Sequence, residues 1–196
     1  MGVNRNRTRA SQRFAAVHEL AHPYLGHHGD ISFVEEEEDP VLHTEADNFA
    51  TEMLTPKDRI ISLAYKHRDP IPLLYQIMRV HDVSLEMACR RMIELEIYRG
   101  AFVCFSELQP FFAYNSKGFS LEAEIIYDLP KIERGCLIAK HETIKGVAVT
   151  CYIQRFRQSG KFLAAWVEDS TANPESLYEK LLDKWFGNKK PGITPG

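Results

Sequence analysis

The stretch Ser11-Gln12-Arg13-Phe14-Ala15-Ala16-Val17-His18-Glu19-Leu20-Ala21-His22-Pro23-Tyr24-Leu25 decides how the first half of this chain is read. Phe14, Val17, Ala21 and Leu25 recur at spacings of three and four, the period of an amphipathic helix, and Ser11 is a good N-cap. A helix is therefore predicted over 11–28. Two histidines four apart project from one helical face about a turn apart. His18 and His22 fall on the apolar face, where their imidazoles point inward. Zinc prefers imidazole and carboxylate donors, so the pattern H-E-x-x-H marks a candidate metal centre. Glu19 projects about 100° round the helix from His18, the offset from which a carboxylate addresses a water at the metal. The rival reading, a chance pentapeptide on a surface helix, does not explain why both histidines share the apolar face.

Two ligands leave such a site incomplete. Asp39-Pro40 reads as an N-cap followed by proline at the first helical position. The stripe Leu42, Ala46, Phe49, Ala50 and Met53 then predicts a second helix stopped before Pro56. Glu45 lies beside this stripe and is the first candidate for third ligand, although a glutamate in a first helical turn is also stabilised by the helix dipole. His43, Asp47 and Glu52 are the rivals. Of these, Asp47 is better placed to orient a ligand histidine. Pro23 follows His22 directly, removes the bond to the Glu19 carbonyl and disfavours helical geometry at His22. The helix is expected to kink or end there.

These two segments resemble the ImmA/IrrE-type metallopeptidases. Residues 12–22 are similar to the family's R-x-x-F-x-x-A-H-E-x-x-H, and residues 45–56, EADNFATEMLTP, to its E-A-x-x-F-A-x-x-L-L-x-P. The resemblance implies His18, His22 and Glu45 as zinc ligands and Glu19 as the base that activates zinc-bound water. It implies a zincin-like helical region and a substrate that is a repressor or other regulator of stress, mobile-element or phage genes. It also implies a helix-turn-helix region and then a GAF-like β domain. Relatives carry a helix and strands before the motif, so a very short or absent cleft-lining strand is expected here.

The rest of the chain agrees with that order. A third helix is predicted over 57–67, then two short helices over 72–80 and 84–96, joined at helix-turn-helix spacing with Ser84 as a cap. Arg90 and Arg91 could meet DNA there, but Glu86, Glu94 and Glu96 share the helix and repel phosphates. Packing between the two halves is the plainer role. Beyond Gly100 the runs 102–105, 121–127, 136–139, 147–153 and 162–167 are rich in β-branched and aromatic residues, as in strands. A last helix is expected over 174–186, with Leu177, Leu181, Leu182 and Trp185 on one side. The fold class is α+β. A helical metallopeptidase-like region spans 1–99, with its helix-turn-helix-like part at about 70–98. A mainly β, GAF-like domain spans 100–187, and a frayed tail 188–196.

Composition narrows the function. The net charge is -3 with a pI near 6.2, which argues against nucleic-acid binding by bulk charge. No run approaches the roughly 18 apolar residues of a membrane span, and the Arg- and Asn-rich start is not a signal peptide. Cys89, Cys104, Cys136 and Cys151 form no C-x-x-C pair and read as reduced thiols on core faces. The expected address is cytoplasmic. His27 and His28 could steady an intermediate or a second metal, but histidines commonly end helices. The acidic run 35–39 reads as a solvated loop. Phe111, Phe112, Tyr114 and Trp166 could line an effector pocket, though core packing accounts for them. The leading expectation is a zinc endopeptidase acting on a regulatory protein. A zinc-containing module that binds its partner without cutting it is the alternative, and a DNA-binding regulator the third.

Overall fold

The structure is a computed structural model that describes residues 8–27, 39–67, 69–106, 109–121, 132–156 and 161–169. Helix α1 spans Arg9–Leu25, α2 Pro40–Leu54, α3 Lys57–Ala64, α4 Pro70–His81 and α5 Leu85–Glu94. Strands β1 Gly100–Ser106, β2 Gln109–Asn115, β3 Leu137–Ile144, β4 Val147–Arg155 and β5 Phe162–Glu168 follow. All strand pairs are antiparallel, in the order β2-β1-β5-β4-β3. Among the described residues the chain is therefore α+β, with helices first and an antiparallel sheet second. No described helix is long and apolar enough to cross a membrane.

The helix ends follow local chemistry, with corrections to the sequence reading. α1 is capped by Thr8, whose hydroxyl accepts from the Ser11 amide at 3.3 Å, so it starts earlier than Ser11 implied. It ends at Gly26, which turns left-handed at φ 78°. The His27 amide closes on the His22 carbonyl at 2.8 Å and the Gly26 amide on the Pro23 carbonyl at 3.3 Å. This paired closure explains why the helix stops short of His28. Pro23 neither ends nor excludes the helix, which runs through it to Leu25. The carbonyl that loses its donor belongs to Glu19, an exposed residue, so solvent can replace the bond. α2 starts as expected, with Asp39 accepting from the Val41 amide at 2.8 Å. Met53 is exposed rather than part of the inward stripe, and Leu54 is buried in its place. Ser84 caps α5 by accepting from the Met87 amide at 3.2 Å.

One apolar cluster joins the helices to the sheet. Ile60, Leu73, Leu74, Ile77 and Met92 pack with Phe102, Cys104, Leu163 and Ala165, and Phe14 and Val17 of α1 lean on the same cluster. The other sheet face carries Val103, Phe105, Ile153, Ala164 and Trp166 in a second cluster. The alternation along β1 and β5 is masked because both faces are covered, which makes these strands read as continuous apolar runs. β2 is a strand that no alternation in the sequence marks. Its Pro110 and three aromatics obscure the period, and it is an edge strand, where proline is tolerated. The run 136–139 begins β3, which extends to Ile144. Most of 121–127, all of the expected helix 174–186, His28 and nearly all of the acidic run lie outside the described residues. Cys89, Cys104 and Cys151 are buried free thiols, whereas Cys136 is exposed and not on a core face.

Gly100 fixes the junction between the two halves. A Cβ there would lie 1.9 Å from the Trp166 carbonyl oxygen across the β1–β5 pair. Its amide donates to Ser116 Oγ at 3.0 Å, and Ser116 Oγ donates to the Tyr98 carbonyl at 3.1 Å. The obstacle is backbone, so it cannot rotate away. Gly100→Ala should cost about 3 kcal/mol, read as a lower denaturant midpoint at unchanged slope.

Candidate metal centre

α1 and α2 lie side by side. Tyr24 of α1 packs on Phe49 of α2 with ring centroids 4.9 Å apart, and Ala21, Ala46 and Ala50 are fully buried. Contacts run from His18 to Asp47 and from His22 to His43, so the helices are antiparallel. Arg13, one turn and a half before His18, anchors α1 to the turn after α4. Its guanidinium donates to the His81 and Asp82 carbonyls at 2.7 and 2.8 Å and meets the Asp82 carboxylate at 3.2 Å. This anchor was not foreseen from the sequence. Only its place in the family-like pattern pointed to it.

His18, His22 and His43 bring one ring nitrogen each into a common space, all within 4.8 Å of one another. His18 Nε2 lies 3.1 Å from His43 Nδ1 and 3.2 Å from His22 Nε2. Nitrogens held at about 2.05 Å on a tetrahedral zinc would stand roughly 3.3 Å apart. The observed spacing therefore fits a small tetrahedral ion. Burial pushes the His22 pKa below the ordinary histidine value, and the rings of His18, His43 and His27 push it further against the opposing charge of Glu19. A neutral imidazole is the form that binds metal.

The surrounding groups set which nitrogen faces inward. Asp47 Oδ1 lies 2.8 Å from His18 Nδ1. With that nitrogen donating to the carboxylate, the His18 Nε2 lone pair is left to the cluster. A similar chain serves His22. Glu45 Oε2 lies 2.9 Å from His27 Nε2, and His27 Nδ1 lies 3.1 Å from His22 Nδ1. With His27 donating to Glu45, its other nitrogen accepts from His22, whose Nε2 lone pair again faces the cluster.

Each residue singled out in the sequence can now be placed. His18 and His22 are together, and His43 joins them from α2. Asp47 Oδ1 lies against His18 Nδ1. Glu45 sits one imidazole away from the cluster, on His27, with its side chain 56% exposed. Glu19 is exposed on α1 and close enough to His22 for its charge to act on that ring. Glu52 pairs with Arg91 and accepts from the Lys57 amide at 3.0 Å, away from the histidines. His27 is more than the end of a helix, because it links His22 to Glu45. The sequence offers His27 as a candidate for an intermediate or a second metal, and its link between His22 and Glu45 is a tertiary contact. Arg91 also donates to the Thr55 carbonyl at 3.0 Å, and Arg90 bonds Glu94 at 2.6 Å, so both guanidinium groups of α5 are held within the protein.

Residues 1–92 match the family profile described as the IrrE N-terminal-like domain of the M78 peptidases. No curated protein matches the chain.

Proposed function

Because residues 1–92 of this chain belong to the IrrE N-terminal-like peptidase family, we propose that it is a zinc-dependent endopeptidase acting on a repressor-type regulatory protein. The observation that carries this reading is the convergence of three imidazole nitrogens at zinc-like spacing, beside an exposed glutamate. His18 and His22 would hold the ion, with a third donor from α2. We assign that donor to Glu45, as the family resemblance implies. Among the described residues Glu45 is held by the single bond to His27, and a carboxylate offsets charge that a third neutral imidazole does not. His43 is the alternative, because it already lies in the cluster. When bound, zinc would polarise the scissile carbonyl and make water a nucleophile near neutral pH. Glu19 would take a proton from the attacking water and deliver it to the leaving amine. Asp47 would keep His18 in the tautomer that offers Nε2.

In this proposal the second half, 100–187, is a GAF-like domain that could carry a regulatory effector, and the protein acts in the cytoplasm in transcriptional control or stress response. Metal removal tests the central claim. A panel of helix-turn-helix repressors incubated with the purified protein should include one that is cut. Cutting should stop after chelation and return with added zinc. A regulator that is bound but never cut would replace the peptidase with the non-cleaving module.

A further inference from the structure

Beside the histidine cluster, α1, α2, the start of α5 and β2 line an open cavity of about 280 Å³. That is just below the roughly 300–1,000 Å³ typical of small-molecule sites, so its occupant is small. Its walls carry both signs of charge. Asp47 and Glu86 supply carboxylates and Arg90 a guanidinium. Glu86 Oε1 accepts from the Tyr114 hydroxyl at 3.1 Å, which fixes one carboxylate at the rim. A guanidinium has five N–H donors, of which Glu94 takes the one on Nε. Phe14 and Met87 make an apolar side.

The second observation is Thr51. It lines the cavity, is 3% exposed, and its hydroxyl has no hydrogen-bond partner among the described residues. A buried orphan hydroxyl costs about 1–3 kcal/mol, and such a group calls for a partner that the protein alone does not supply. Asp47 also belongs to this wall while it holds His18, so the cavity and the histidine cluster share one carboxylate.

We propose that this cavity binds a small zwitterion of the free amino-acid class. Glu86 and Asp47 hold its ammonium group, Arg90 holds its carboxylate, and Thr51 completes its hydrogen bonds. Its side chain lies against Phe14 and Met87. The site is separate from the ion's ligands, and the inference does not rest on the peptidase reading.

The test uses the whole chain and reads binding, not cleavage. The free L-amino acids, added one at a time, should include at least one that raises the melting temperature saturably and gives a calorimetric binding curve. Its N-acetyl amide, which lacks both charges, should not bind. Arg90→Gln and Thr51→Val should each weaken binding by about tenfold or more. Thr51→Val without ligand should be at least as stable as the wild type, because a methyl group replaces the orphan hydroxyl, so it tests the site even if Arg90→Gln unfolds. Three results would overturn the proposal: no response to any amino acid, an equal response to the uncharged amide, or binding that survives both substitutions. A cavity that takes only the side chain of a peptide substrate would give the first of these.

Discussion

Glu19→Gln should lower cleavage of any substrate the wild-type protein cuts by about 10²–10⁴-fold, the usual contribution of a general acid–base group. That is roughly 3–5 kcal/mol on the barrier. Glutamine keeps the size of the side chain and can still hydrogen-bond, but it cannot take a proton at neutral pH. Because Glu19 is exposed and bonds no described residue of the core, stability should change by no more than about 0.5 kcal/mol. Metal content should stay at the wild-type level, since Glu19 lies on α1 between the ligands without being one. The loss should fall on kcat with KM nearly unchanged, as for a group that acts in the transition state. Equal activity of the two forms would remove Glu19 from the chemistry, and the peptidase reading with it.

The parts of this molecule that were legible in its sequence are those set by local rules. Asp39-Pro40 and Ser84 announced the starts of α2 and α5 because capping depends on a few adjacent atoms. His18 and His22 could be placed on one face because helical period alone decides it. The neighbours of that face could not be placed. His43 joins the cluster because α2 packs beside α1, and no pattern within one helix reports that distance. Pro23 misled for the same reason in reverse. Its local penalty is real, but it falls at Glu19, an exposed residue, and the glycine turn after Leu25 still closes the helix. β2 was hidden by its own exception, a proline that only an edge position permits. Position in the sheet is a tertiary fact.

His18→Ala and His22→Ala should each leave the purified protein without its metal, and the comparison of Glu45→Ala with His43→Ala should identify the third ligand. Loss of a group that merely orients a ligand costs about 10–100-fold in metal affinity, and loss of a ligand costs more. Asp47→Asn calibrates the scale, because Asp47 touches His18 Nδ1 and not the cluster nitrogens. With Glu45 as ligand, Glu45→Ala should fall well below Asp47→Asn in zinc affinity, while His43→Ala stays at or above it. The opposite order would make His43 the third ligand. Glu45 would then act at one remove, by fixing the His27 ring that bonds His22. His27→Ala separates the two cases further. If Glu45 works through His27, removing either should have the same effect on zinc affinity, and removing both should add nothing. If Glu45 binds the ion itself, losing His27 costs only its bond to His22, and His27→Ala should stay well above Glu45→Ala in zinc affinity.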